Sequence, residues 1–310
     1  MSSYDFCVDT LRQAYARGEN ITLLLRENEN SEGGENRLDS IEVAYDLQAG
    51  RYTEDALREP EMLRQYATDI HSLCSSHLAE CRSLLDCGTG EMTTLSALSQ
   101  YLPSQIALLA FDISLSRVKC GLEFSRQWMR EDLREGLHAF VAEMDRIPLP
   151  SASIDVVFTS HALEPNRGRE EILVAELLRV ARKKLILLEP SYENASQEAQ
   201  QRMDQLGYIR NLPLFIQRCG GHLISVEQVP NSYNPLNPTY CYVVAPPVDP
   251  HAFSSSIHDG QYGDYRCPKS GHPLERKDHY WWSFAGGYAY PEIDQIPCLR
   301  ERHAIVMTHG

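Results

Sequence analysis

Between residues 83 and 188 short apolar runs alternate with stretches of helical period, and this alternation constrains the fold more than any other feature. Residues 83–86, 106–111, 139–141, 154–158 and 184–188 are apolar runs of strand length. Residues 92–101 and 116–128 have helical character, and Ile172, Leu173, Leu177 and Val180 mark the face of another helix. Strands that are apolar throughout and separated by helices belong to a parallel sheet covered on both faces. Two more strand candidates, 222–226 and 240–245, are separated only by turn residues from Pro230 to Pro238, so they are predicted to pair antiparallel. The expected class is therefore α/β: a doubly wound sheet of seven strands, with a parallel core and an antiparallel edge pair.

The flanks differ from this core. Residues 4–17 could form a short helix, while 26–39 are polar, acidic and interrupted by Gly33-Gly34, so residues 1–40 read as a peripheral segment. From 54 to 78, Leu63, Tyr66, Ile70, Leu73 and His77 fall at the three-and-four spacing of an amphipathic helix, with Pro60 marking a break or first turn. The core unit is assigned to residues 41–247. After Pro246-Pro247 the composition shifts, with 248–262 loop-like and 263–310 carrying Trp281, Trp282 and several glycines and prolines, so 248–310 reads as a small β-rich domain.

Composition narrows the function. A net charge of −14 repels phosphate backbones and disfavours a broad nucleic-acid interface. No apolar run approaches the ~20 residues that span a bilayer, and Met1 to Asp5 show no basic stretch followed by an apolar one. A soluble cytoplasmic protein without a membrane partner is the expectation. Nine cysteines, none in a Cys-x-x-Cys pair, read as reduced thiols.

In open parallel sheets ligands bind beyond the carboxyl ends of the strands. The first such end is Asp86-Cys87-Gly88-Thr89-Gly90-Glu91-Met92, where the glycines permit a tight turn and close approach of a ligand. A dinucleotide site would have a third glycine where Thr93 stands, and Glu91 beside the helix start disfavours a pyrophosphate. Asp112 ends the second strand, placed to accept from the hydroxyls of a ribose. Asp145 follows the third, where it could accept from an adenine amine while Met144 and Ile147 sandwich the ring. Each acid alone suits a turn or a cap; three at successive strand ends suit a nucleotide-type cofactor.

These segments, with Ala110-Phe111-Asp112-Ile113-Ser114, residues 145–157 and Ser160-His161-Ala162-Leu163-Glu164, resemble the successive motifs of class I S-adenosylmethionine-dependent methyltransferases. The resemblance covers about residues 41–246 and departs at Met92, where many members have a further glycine. It implies a Rossmann-like sheet and S-adenosylmethionine as cofactor. Asp86, Gly88 and Gly90 would hold the methionine part, Asp112 and Ile113 the ribose side, and Met144, Asp145 and Arg146 the adenine side, with Ser160 and His161 closing the pocket. Tyr45 and Tyr52, in a segment like the aromatic one that many small-molecule members lay over the cofactor, could present a ring to the sulfonium.

His161, just past the fourth strand, is the candidate base; Tyr192 is a second catalytic candidate, with Glu189 and His222 behind them. Residues 192–218 and 231–237 are the expected substrate cover. The tail from Cys267 to Pro297 looks like the zinc-ribbon-like activator partner of some tRNA and protein methyltransferases, with Ser270 where a second thiol would stand, so no metal is expected. It could dock on the core domain or support a homodimer. The favoured reading is methyl transfer to oxygen or nitrogen of a small molecule such as a sugar, nucleotide-linked sugar or secondary metabolite. A methyltransferase of RNA or protein, or a non-catalytic cofactor-binding scaffold, are the alternatives.

Overall fold

The computed structural model describes residues 7–28, 36–231, 234–247 and 264–310. Helices α1 (Val8–Ala16), α2 (Ile21–Asn28), α3 (Leu38–Leu47), α4 (Arg51–Arg58) and α5 (Pro60–Leu78) come first. The expected loop over 26–39 is shorter than anticipated, since α2 reaches Asn28 and α3 starts at Leu38; residues 29–35, like the first residues of the 4–17 helix, lie outside the described chain. Pro60 occupies the first position of α5, where its missing N–H costs nothing, so the 54–78 stretch divides into α4 and α5 at Glu59.

The core follows as β1 (Ser83–Cys87), α6 (Thr93–Leu98), β2 (Ala107–Asp112), α7 (Leu115–Trp128), α8 (Glu131–Arg134), β3 (His138–Val141), β4 (Ile154–Ser160), α9 (Glu170–Val180), β5 (Ala181–Pro190), α10 (Gln197–Leu206), α11 (Leu212–Arg218), β6 (His222–Gln228) and β7 (Thr239–Ala245). The strands form one sheet in the order β3-β2-β1-β4-β5-β7-β6. The first five are parallel, and β7 runs antiparallel to both β5 and β6. This is the Rossmann-like arrangement. Every residue of β1 and β2 is buried, yet the two-residue period persists: Leu85, Cys87, Leu109 and Phe111 pack on one face, Leu84, Leu108 and Ala110 on the other. The strand order reverses between β1 and β4, which opens a crevice at their carboxyl ends.

A second, five-stranded antiparallel sheet contains β8 (Glu275–Arg276), β9 (Tyr280–Ser283), β10 (Tyr288–Ile293), β11 (Ile296–Pro297) and β12 (Ile305–Val306). It meets the outer edge of β3: Cys298 bridges Val141 in parallel, the Leu299 amide donates to the Val141 carbonyl (2.8 Å), and the Arg266 amide donates to Pro148 (2.9 Å). Tyr265 sets its ring edge-on to Phe140 and to Trp281, so one apolar cluster runs through both sheets. Arg300, almost wholly buried, bridges Glu42 (2.5 Å) and Glu143 (2.8 Å). Cys267 lies against the Tyr290 hydroxyl, and among the described residues no group of three acidic, His or Cys side chains could hold a metal ion. Nor is any described helix long and apolar enough to cross a membrane.

Candidate functional site

The β1–α6 turn begins the site. Gly88 and Gly90 both have positive φ (68° and 55°), and a Cβ on Gly88 would lie 2.5 Å from that of Ala162, past the end of β4. Side chains here would close the crevice. Met92 takes the left-handed conformation as well (φ 53°), which a glycine would adopt without strain. Its side chain is fully buried, and Gly121 on α7 makes room for it, since a Cβ there would sit 2.7 Å from Met92 Cγ. Burial of the thioether chain thus offsets the backbone cost that the missing glycine creates.

Around this turn, carboxylates hold backbone amides. Asp112 accepts from the Gly90 amide (2.9 Å) through Oδ2 and from the Ser114 amide (2.9 Å) through Oδ1. Glu91, buried, accepts from the amides of Gly50 (3.1 Å) and Thr53 (2.8 Å) and so satisfies the open start of α4. Asp46 accepts from Ser114 Oγ (2.6 Å), Ser116 Oγ (3.0 Å) and the Ser116 amide (3.3 Å) at the start of α7. The α3–α4 segment is thereby tied to the strand ends from both sides.

Together these elements bound a cavity of about 620 Å³. Tyr45, Tyr52, Gly88, Gly90, Asp112, Ile113, Met144, Ser160 and His161 all line it. Asp86, Asp145, Arg146 and Tyr192 are not among the lining residues. Asp86 is buried beneath the turn, accepting from Thr89 Oγ1 (2.6 Å), and burial pushes its carboxyl up to about 7. Asp145 pairs with Arg169 through Oδ2 while its buried Oδ1 has no partner. Arg146 turns away to the Pro268 carbonyl (3.1 Å) and Glu301 (3.4 Å) of the C-terminal region. Tyr192 donates to Asp204 (3.2 Å) beneath the Arg210 guanidinium, outside the cavity. His222 is exposed and pairs with Ala245, at the opposite end of the sheet from the cavity.

Tyr45 and Tyr52 line the cavity, but they already face a cation. The Arg117 guanidinium of α7 lies 5.1 Å and 4.8 Å from their ring centres, with Glu91 at 3.8 Å and Asp112 at 4.0 Å. It also covers Gly90, where a Cβ would come within 2.4 Å of Nη2. Arg117 was not anticipated; the available hint was a basic residue in the first half of the helix after Asp112, near two tyrosines expected to receive a cation.

The other end of the cavity is built from side chains of distant segments. His161 holds a left-handed backbone (φ 55°), and its backbone N–H donates to the Leu188 carbonyl (2.9 Å). Its Nδ1 lies 2.9 Å from Glu164 Oε2, and its Nε2 lies 3.0 Å from Thr239 Oγ1 at the start of β7. Asn237 Nδ2 (3.2 Å) and Tyr208 OH (3.2 Å) also donate to Glu164. Burial alone would lower the His161 pKa, but the hydrogen bond and charge of Glu164 carry it above the ordinary imidazole value. Beneath this turn the buried Glu189 accepts from Thr159 Oγ1 (2.8 Å) and the amides of Ala162 and Leu163 (both 3.1 Å), and burial pushes its carboxyl up to about 7. Glu189 supports the turn and does not line the cavity.

Residues 85–188 match the family model described as a methyltransferase domain. No curated protein matches the chain. Among solved structures, the geranyl diphosphate C-methyltransferase of Streptomyces coelicolor A3(2) is similar at 10% identity over 58% of this chain and 77% of that one, with a TM-score of 0.47. A SAM-dependent methyltransferase of Aquifex aeolicus is similar at 18% identity over 57% and 88%, with a TM-score of 0.43. The complex of the Haloferax volcanii Trm112 methyltransferase activator with a methyltransferase gives 15% identity over 66% and 98%, with a TM-score of 0.47. Residues 85–188 therefore carry a methyltransferase domain of the S-adenosylmethionine-dependent kind, with S-adenosylmethionine as its cofactor.

Proposed function

We propose that the cavity takes the cofactor along the ends of β1, β2 and β4, takes a small molecule between α10 and the 234–239 turn, and moves a methyl group to an oxygen or nitrogen of that molecule. One observation carries this reading: Gly88, Gly90, Asp112 and Met144 share a single cavity with His161, Glu164 and Thr239.

The residues present fit the cofactor. A Cβ at Gly88 would fill the cradle, and each Asp112 oxygen, holding one amide, keeps a lone pair for a ribose hydroxyl. The unpartnered Asp145 Oδ1 lies next in sequence to Met144, which would pack on the adenine. Arg117, rather than facing a sulfonium, suits the carboxylate of the methionine part. When bound, S-adenosylmethionine supplies an electrophilic methyl carbon.

The chain's own contribution is position and proton removal. Holding two reactants in line can supply ~7–11 kcal/mol of a barrier, and the α3–α4 segment tied down by Glu91 and Asp46 provides that rigidity. For a hydroxyl acceptor, Glu164 accepts from Nδ1–H and leaves Nε2 as the base. Thr239 Oγ1, donating to Nε2, keeps lone pairs toward the cavity and can relay the acceptor's proton. An amine acceptor that arrives neutral would need the same base only after transfer.

The test is calorimetric titration of S-adenosylmethionine into the wild type and Asp112→Ala, followed by methyl release over pooled small molecules. Loss of a charge-assisted contact should weaken binding by about 1.5–3 kcal/mol. Equal affinity in the two proteins would remove the ribose role of Asp112, and no binding by the wild type would remove the reading as a whole.

A further inference from the structure

Four arginines line the cavity: Arg58, Arg117, Arg169 and Arg202. Three are matched by acids. Arg58 pairs with Asp55 and Glu59, Arg117 with Glu91 and Asp112, and Arg169 with Asp145. Arg202, on α10, has no ion-pair partner among the described residues, although the chain carries 43 acidic side chains against 29 basic ones. Its guanidinium reaches the Tyr208 side chain, with its central carbon 5.8 Å from the ring centre and a hydrogen bond to the hydroxyl, but its Nη1 is buried without a hydrogen-bond partner. The carboxylate beyond that ring, Glu164, is already taken by His161, Asn237 and Tyr208.

A second open group lies at the same end. Asn237 spends its amide nitrogen on Glu164, which leaves Oδ1 buried and without a donor. A buried donor and a buried acceptor left open each cost the desolvation of a polar group unless a ligand answers them. Arg202 calls for an anionic oxygen, and its planar fork favours a carboxylate or phosphate. Asn237 calls for a hydroxyl or amine hydrogen.

Resting on the reading of this cavity as an acceptor site, we propose that the methyl acceptor is a polyhydroxylated anion, a sugar-like molecule whose carboxylate or phosphate pairs with Arg202 and whose hydroxyl donates to Asn237. His161 and Thr239 then face a neighbouring hydroxyl of the same molecule. Arg202 acts here as a specificity residue: it fixes which molecule enters and in which orientation.

The experiment measures methyl transfer from labelled S-adenosylmethionine, and acceptor binding, over three sets of probes: neutral monosaccharides, monosaccharide carboxylic acids and monosaccharide phosphates. Transfer or binding is expected in one anionic set and at least tenfold weaker in the neutral set; which anionic set responds decides between carboxylate and phosphate. Arg202→Gln should raise KM at least tenfold with a smaller change in kcat, and Arg202→Lys should recover part of that loss by restoring the charge without the fork. Neutral sugars used as well as anionic ones, an unchanged KM in Arg202→Gln, or no response from either anionic set would overturn the proposal. Titration of the cofactor into the same preparations separates the two claims. Failure to bind it removes the cavity reading itself, whereas normal binding without anion preference removes only the role of Arg202.

Discussion

The two ends of the cavity are held together in different ways. At the β1–β2 end, carboxylates grip backbone amides: Asp112 those of Gly90 and Ser114, Glu91 those of Gly50 and Thr53, and Asp46 that of Ser116. At the α10 end, side chains grip one another: His161, Tyr208 and Asn237 on Glu164, and Thr239 on His161. Amides are present whatever residue stands at a position, so the first end tolerates change around a fixed shape. A side-chain network depends on every member, so in the proposed function the second end is the one that would select one molecule.

The largest expected effect tests that division. His161→Gln keeps a polar group but cannot take a proton, so turnover of a hydroxyl acceptor should fall by about 10²–10⁴-fold, with cofactor affinity little changed. A parallel loss of cofactor affinity would move His161 to the first end. Glu164→Gln gives a sharper signature. The base must be unprotonated, and Glu164 holds the His161 pKa up against burial, so the acidic limb of the kcat/KM profile should shift to lower pH in the variant. An unmoved limb would mean that His161 is not the titrating base.

Glu91→Ala acts on the other end. It opens two charge-assisted bonds to the start of α4, each worth about 1.5–3 kcal/mol, and should weaken cofactor binding measured by calorimetry roughly in step with a lower melting temperature. Cofactor affinity equal to wild type would show that the Tyr45–Tyr52 segment does not contribute to the site.

The smallest effect concerns Glu189, which lies under the acceptor end. Its folded pKa, about 7, is raised by burial above the ordinary carboxyl value of 4.5. Such a group favours the fold while both states stay protonated, and its contribution is lost as pH rises from the ordinary value through the folded one. Glu189→Gln should therefore match the wild type near the acidic end of that window, melt at progressively higher temperature than it as the pH rises from 4.5 to about 7, and keep a constant advantage above that. A pH-independent difference in melting temperature would mean that Glu189 does not titrate in that range.

Much of the fold was legible in the residue order. Buried parallel strands are short and apolar throughout, so each announces itself locally, and Gly88 with Gly90 marks the turn that a ligand must approach. The same locality explains what residue order left open. Asp145 and Arg146 follow a strand end as a site pair should, yet Arg169 reaches Asp145 from another element and Arg146 is drawn to the C-terminal region. Asp86 closes β1 as expected but lies beneath the turn, where burial raises its pKa. Tyr192 falls within the anticipated substrate cover, but it is Arg202, Tyr208, Asn234 and Asn237 from that cover that reach the cavity.

What residue order alone carried was the sheet, its antiparallel edge and the rim at which a cofactor would lie, because hydrophobic period and turn chemistry act over a few neighbours. Partnership between charges was decided in three dimensions. Glu91 meets Gly50 across 41 positions and His161 meets Thr239 across 78. Which arginine is answered by an acid, and which is left open, depends on helices packed from distant parts of the chain, and no local pattern encodes that distance.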